Sequence, residues 1–281
     1  MNSAFPHTPE AVAEALPEQT ASPATLDKTG ESKKHSNRDE IERLEEENRF
    51  LVTAYTVTTG ALGASLFVPE LFTKFAAYAA GTIGTRFVLK RAQKVISVLK
   101  HTKALDKAFA EQGVEIFTEL PVPDHGSLDM LVKFPNPPKK AVFAIALRSQ
   151  GKATIFYNEG KECFQFRRGT GMKTWTPDHI ERLSIQGYWL RMNQSELFGT
   201  SRNDRNRPLV KVLCLTGDTK IGTHGDHLYT QVGDQRVLLI ERKSSIFVLE
   251  EHQLEGFIQG WLTQSNKPKT PKTSMSGNQD N

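Results

Sequence analysis

The chain has 281 residues, of which 36 are Lys or Arg, 32 are Asp or Glu and two are Cys. This length is enough to bury a sizeable core in one or two domains. The 38% content of hydrophobic residues excludes both a polytopic membrane protein and a wholly disordered one. Two cysteines are too few for a disulfide scaffold or a cysteine-rich zinc module, so we expect a reducing compartment. The net charge of +4 conceals an uneven distribution of charge along the chain.

The N-terminal part of the chain is polar and acidic. Residues 1–37 are rich in Pro, Ser, Thr, Ala and Glu and lack a sustained apolar period, which predicts a disordered tail. Residues 38–50 place a few apolar side chains among dense charges and predict a short acidic helix. Over residues 1–48 the chain carries eleven acidic and five basic side chains, a local charge of −6.

Residues 51–85 are mostly uncharged. The first 18 of them, residues 51–68, contain no charged side chain, which is at the lower limit for a helix that crosses a hydrocarbon core about 30 Å thick. A second uncharged stretch covers residues 75–85, and small residues recur in both stretches. We therefore expect a transmembrane segment or a membrane-embedded hairpin. The alternative is a Thr-rich pair of buried helices in a soluble protein.

Residues 86–112 predict a basic amphipathic helix that ends at Gly113. Seven basic side chains lie within 22 residues, and only Asp106 opposes them. If the preceding segment enters a membrane, this charge places the C-terminal domain on the cytoplasmic side. We therefore expect a membrane-associated protein with a cytoplasmic domain, or alternatively a cytoplasmic protein. The basic face could contact anionic lipid or nucleic acid, or remain solvated.

Residues 113–264 predict one α/β domain, which a polar, disordered tail follows at 265–281. Short turns between the first strands predict a meander, and Thr176-Pro177-Asp178 predicts the start of a helix that runs to about Leu197. A final helix carries its apolar residues on one face. The predicted strands are 128–134, 141–147, 153–157, 210–215, 237–241 and 245–249. Residues 114–120 predict a helix or a strand, and residues 163–166 with the basic stretch after them predict a further strand or hairpin.

The order of these elements resembles the restriction-endonuclease-like fold, and more narrowly the nuclease-related domain family within it. The resemblance covers residues 108–264 and implies a central mixed sheet flanked by helices. It places the family's metal-binding Asp on Asp129, within the strand GSLDMLVKF. The family's second motif is an acidic residue, a spacer and a lysine, and it falls on Ala146-Leu147-Arg148.

The departure from that second motif predicts a noncatalytic domain without a cofactor. Metal-dependent phosphodiester hydrolysis needs two anionic ligands on a divalent ion. Ala146 has no ligating oxygen, and Arg148 can bind a phosphate but cannot relay a proton. In the noncatalytic case Asp129 would bond local backbone amides. The alternative is a Mg²⁺- or Mn²⁺-dependent nuclease in which Asp129 binds the metal, Glu159 is a relocated catalytic carboxylate and Lys152 replaces the lysine.

Basic residues are concentrated in residues 133–173, where nine Lys and Arg oppose two Glu, a local charge of +7. Phe164, Phe166 and Trp175 lie among or beside them, and such a mixture of cations and rings is typical of nucleic-acid binding. We therefore predict binding of DNA, RNA or another phosphate-rich partner. The alternatives are a solvated sheet surface and a membrane-associated scaffold for protein partners. The candidate binding residues are Arg148, Lys152, Arg167, Arg168 and Lys173.

Overall fold

The computed structural model describes residues 35–65, 71–135, 141–199, 201, 207–241 and 244–264. The disordered tails predicted at 1–37 and 265–281 lie outside the described residues, apart from residues 35–37. His35 and Asn37 pack against the domain. The ring of His35 stacks on Phe117 with centroids 3.9 Å apart, and the Asn37 amide donates to the Val114 carbonyl at 2.7 Å.

Two long helices, α1 (Asn37–Ser65) and α2 (Leu71–Phe109), form an antiparallel hairpin. Asn37 near the start of α1 contacts Asp106 near the end of α2 at 2.7 Å, and Glu47 further along α1 contacts Arg91 earlier on α2 at 2.7 Å. Among the described side chains, Leu44 and Leu51 are the buried apolar residues of α1. On α2, Val88 and Ala92 pack partly buried against the core, and the first buried apolar residue is Val95. The part of the hairpin nearest the sheet therefore belongs to the core.

The helix bounds differ from those that composition predicts. The predicted acidic helix at 38–50 continues without a break into the uncharged segment, and the second uncharged stretch continues into the predicted basic helix. No proline lies at either boundary, and α2 continues through Gly84 beside the second one, so the change of charge alters the surface and not the backbone. Gly113, with φ of +66°, follows α2 as predicted. Within the described ranges, no helix is both long enough and apolar enough to cross a membrane.

The predicted α/β class is confirmed, with a large mixed sheet and flanking helices. The described chain has, in order, β1 (Glu115–Val122), β2 (Gly126–Phe134), β3 (Ala141–Arg148), β4 (Thr154–Asn158), β5 (Cys163–Arg168), β6 (Gly171–Thr174), α3 (His179–Asn193), β7 (Leu209–Leu215), β8 (Lys220–Ile221), β9 (Tyr229–Val232), β10 (Gln235–Glu241), β11 (Ser245–Glu250) and α4 (Leu254–Gln264). The seven-stranded sheet has the order β1-β2-β3-β7-β11-β10-β9. Strands β3, β7 and β11 are parallel to one another, and the remaining neighbours are antiparallel.

The large sheet is covered on both faces. On one face α1, α2 and α4 contribute to an apolar cluster that includes Val98, Phe143 and Phe257. On the other face α3 and β4–β5 pack in a second cluster that includes Leu183 and Phe164. Strand β3 is buried along seven of its eight residues because it lies in the middle of this sandwich.

Strand β4 does not continue the meander that the sequence predicts. It leaves the large sheet and forms a second sheet of order β6-β5-β4-β8. The free edge of β3 is taken by β7, which pairs with it in parallel from Val142–Leu209 to Arg148–Leu215. The Gln150 N–H donates a hydrogen bond to the hydroxyl oxygen of the buried Thr219 at 2.8 Å. This bond stabilises the turn at which the chain passes from one sheet to the other.

Candidate functional site

Asp129 lies on β2 at the centre of a buried cluster of charged side chains. Its side chain is buried, with 1% of its surface exposed. The register of β2 with β3 pairs Met130 with Ile145, and continued by one residue it places Asp129 opposite Ala146. Its Oδ2 accepts hydrogen bonds from the Leu147 N–H at 2.9 Å and from Arg148 Nη1. The sequence located the strand position of Asp129 correctly. Its amide partner, however, lies on the neighbouring strand β3, 18 residues along the chain, and is not the local turn amide that the sequence suggests.

The second oxygen of Asp129 faces another cation. Oδ1 lies 3.1 Å from Lys94 Nζ on α2, and this contact is an ion pair without hydrogen-bond geometry. The same ammonium lies 3.4 Å from Oε1 of Glu119 on β1. Both oxygens of Asp129 are thus in contact with cations from the protein itself.

Glu119 extends the cluster toward α1. Arg91 binds both of its carboxylate oxygens, with Nη1–Oε1 at 2.5 Å and Nη2–Oε2 at 2.7 Å, and also donates from Nε to Glu47 at 2.7 Å. Burial alone would raise the pKa of Glu119, but the hydrogen bonds and charges of Arg91 and Lys94 hold it below its ordinary value. The result is a chain of alternating charges that joins the helical hairpin to Asp129.

On the other side of Asp129, Arg148 contacts α3. Its Nε lies 3.4 Å from Nδ1 of His179, whose ring packs edge-on against Trp175 at 4.4 Å. Burial, together with the charges of Arg148 and Arg182, lowers the pKa of His179 to about 4. The imidazole is therefore neutral at pH 7, and Nδ1 can accept from the guanidinium.

These residues do not fit a divalent metal ion. A Mg²⁺ or Mn²⁺ ion needs several oxygen ligands, whereas Lys94 and Arg148 already occupy the oxygens of Asp129. The neighbour opposite Asp129 is the methyl group of Ala146. Across the described ranges, no three His, Cys, Asp or Glu side chains are arranged as metal ligands.

The two residues predicted to substitute for the family's catalytic pair lie elsewhere. Glu159 is in the turn after β4, with Oε2 3.0 Å from Nε2 of His227. Lys152 is exposed in the loop between β3 and β4. Neither is among the described contacts of Asp129, so the structure does not bring the three together.

The predicted nucleic-acid-binding residues separate into two groups. Arg148 is only 16% exposed on its side chain and is paired with Asp129. Arg167, Arg168 and Lys173 instead lie on the exposed hairpin of β5 and β6. Arg168 donates to the Gln150 carbonyl, which brings this hairpin close to the loop that carries Lys152. We call Lys152, Arg167, Arg168 and Lys173 the basic hairpin surface.

The aromatic residues expected to stack on bases are mostly core residues. Phe164 and Trp175 are buried, and their rings contact each other at 6.1 Å. Phe166 is partly buried against the same cluster. One ring does lie beneath a cation of the basic hairpin surface, since the Arg167 guanidinium is 5.1 Å from the centroid of Phe156.

Sequence reasoning found Asp129 and Arg148 but missed the other members of the charged cluster, among them Lys94 and Glu119. Glu119 has φ of +54°, a conformation uncommon for a residue other than glycine, which marks a local distortion of β1 opposite Asp129. No sequence pattern links these two residues to Asp129, because they come from a helix and a neighbouring strand.

Comparison of the chain with protein-family models, curated proteins and solved structures finds no match.

Proposed function

We propose that residues 113–264 form a noncatalytic, nuclease-related domain of the restriction-endonuclease-like kind, and that it binds nucleic acid through the basic hairpin surface. Three features of the described fold support the resemblance. Asp129 is on the middle strand of the β1–β2–β3 meander, its cross-strand neighbour belongs to the second motif, and α3 is followed by a strand parallel to β3.

The observation that carries the noncatalytic assignment is the pairing of Asp129 with Lys94 and Arg148. In a metal nuclease this carboxylate would hold a divalent ion beside a second carboxylate. Here two protein cations neutralise it, and a metal ion entering the site would meet both. The cluster therefore acts as a structural ion pair between α2, β2 and β3.

The binding role rests on the basic hairpin surface, because its cations are exposed and are not committed to buried carboxylates. Arg167 and Met172 are cross-strand neighbours, as are Phe166 and Lys173, so the side chains of Arg167 and Lys173 project from opposite faces of the β5–β6 hairpin. A strand of nucleic acid can contact such a protruding hairpin through its phosphates without base-specific readout.

The experiment is fluorescence anisotropy of a labelled single strand and a labelled duplex with the full chain, from low to physiological salt. Arg167→Gln, Arg168→Gln and Lys173→Gln together should reduce the salt slope for the single strand by about 2 and the affinity near 0.1 M salt by roughly 10- to 100-fold. The control combines Arg38→Gln, Lys103→Gln and Lys107→Gln, which removes the same charge from the helical hairpin.

Equal losses of affinity in the two triple variants would show that binding depends only on net charge. That result would refute the assignment of the basic hairpin surface as the binding site. The same samples are incubated with Mg²⁺ or Mn²⁺, and we expect no cleavage of either substrate. Metal-dependent cleavage that disappears in Asp129→Asn would overturn the noncatalytic assignment.

A further inference from the structure

The helical hairpin exposes an unusual amount of apolar surface. Eight of the eleven large apolar residues that are exposed in the described part of the chain lie on α1 and α2. The most exposed are Phe87 at 76%, Ile83 at 72%, Phe50 at 70% and Val57 at 64%. Single exposed apolar residues are ordinary, but such a concentration marks an interaction surface.

The exposed apolar residues surround α1 and do not form one stripe. Positions 50, 52, 55 and 57 are all exposed, and at 100° per residue they point in widely different directions. From residue 52 to residue 60, no described side chain of α1 is buried. A partner protein would cover one face of such a helix, whereas lipid surrounds it.

The threonines of this segment do not require water. The hydroxyls of Thr53, Thr56, Thr58 and Thr59 each donate to the backbone carbonyl four residues earlier, at distances of 2.8 to 3.0 Å. A hydroxyl bonded to its own helix can enter hydrocarbon without leaving its donor unsatisfied. This arrangement removes the main polar obstacle to burial of a Thr-rich helix in lipid.

The charges near the segment fit an anionic membrane surface. Between residues 51 and 85 the sequence has one acidic and one basic residue, Glu70 and Lys74, so the net charge of this stretch is zero. Arg49, Arg86 and Lys90 are exposed cations that border it, with Phe50 and Phe87 beside them. Bands of aromatic and basic residues are typical of the membrane–water interface.

We propose that the helical hairpin, through residues 50–60 and 82–90, inserts into an anionic lipid bilayer and holds the α/β domain at that membrane surface. Helix α1 extends about 21 Å beyond Leu51. This is less than the roughly 30 Å of a hydrocarbon core, so the hairpin inserts into the bilayer without α1 crossing it, and the domain stays on the side from which the hairpin enters. This inference rests on residues other than the basic hairpin surface and does not depend on nucleic-acid binding.

The test is flotation of the purified full chain with vesicles of phosphatidylcholine containing about one third phosphatidylglycerol, compared with phosphatidylcholine alone. Ile83→Gln with Phe87→Gln should weaken association by about 100-fold, since each change replaces a large exposed apolar side chain. Tyr188→Gln with Met192→Gln is the matched control, because these two residues are similarly exposed on α3, at 67% and 63%.

A second pair of variants tests the cations. Arg86→Gln with Lys90→Gln should weaken association with the anionic vesicles, and Lys103→Gln with Lys107→Gln should not. The proposal fails if the wild-type chain floats with neither vesicle, or if the control variants lose as much as the hairpin variants. It also fails if Ile83→Gln with Phe87→Gln only converts a dimer to a monomer, which would identify a second copy as the occupant. Nucleic-acid anisotropy with the same variants separates this failure from a failure of the proposed function.

Discussion

Replacement of Arg148 by Met should destabilise the domain because it removes one of the two cations that neutralise Asp129. Asp129 is 1% exposed, so its carboxylate cannot recover the lost interaction from water. Removal of one partner from a buried ion pair costs about 3–5 kcal/mol. Lys94 stays 3.1 Å from Oδ1 and the Leu147 N–H still donates to Oδ2, so we expect a value near the lower limit, about 3 kcal/mol.

The double variant Asp129→Asn with Arg148→Met tests whether this cost arises from an unpaired charge. The asparagine oxygen still accepts the Leu147 N–H, and Lys94 keeps its contact with Glu119. We therefore expect the double variant to be more stable than Arg148→Met alone by at least about 1 kcal/mol. Arg167→Met, a change at an arginine outside the cluster, should stay within about 0.5 kcal/mol of wild type.

The assay is urea unfolding of the full chain, followed by far-UV circular dichroism, with the free energy compared at constant m. A loss below about 1 kcal/mol for Arg148→Met would show that the ion pair contributes little. Simple additivity of the two single changes would show that Asp129 and Arg148 do not interact energetically. Either result would refute the view of this cluster as a buried ion pair that stabilises the domain.

Two further predictions concern pH and backbone packing. The pKa of His179 lies at about 4 in the folded chain against 6.5 as its ordinary value, so its neutral form contributes stability that is present above pH 6.5 and lost as pH falls toward 4. Unfolding at pH 7.5 and pH 5 should show that His179→Gln removes about 2 kcal/mol of this loss, and equal pH dependence in wild type and His179→Gln would contradict the assignment. Gly260→Ala should cost about 1–3 kcal/mol by chemical denaturation, because the new Cβ would lie 2.8 Å from the Gly233 Cα and 2.8 Å from the Val232 carbonyl oxygen. Gly171→Ala has open space and should change stability little, so comparable losses in the two would refute the close-packing explanation.

Most elements could be predicted because their signals are local. The apolar run of β3 predicts a buried strand, and the structure covers that strand on both faces. The predicted helix start at Thr176-Pro177-Asp178 is close to the observed one, where Asp178 Oδ1 accepts from the Ile180 N–H at 2.9 Å. Strands β8 and β9 were missed because they are two and four residues long and carry too few side chains to show a period.

The bounds of α1 and α2 could not be read from composition. A change from acidic to uncharged residues alters which side chains reach the surface, but helix continuity depends on backbone hydrogen bonds and on breaking residues. Whether an apolar segment is buried in the protein or exposed also depends on what packs against it. Only the structure shows that the sheet covers α1 as far as Leu51 and no further among the described side chains.

The sequence by itself determined the α/β class, the position of Asp129 on a buried strand and the absence of a carboxylate at Ala146. The tertiary structure alone decided which side chains surround Asp129. It brings Lys94 from α2 to Asp129 and turns Arg148 away from the surface. It also buries Trp175. The physical reason is that the periodic burial of a strand or helix is encoded by residues close together in the chain. An ion pair instead forms between side chains that come together only when a helix packs on a sheet.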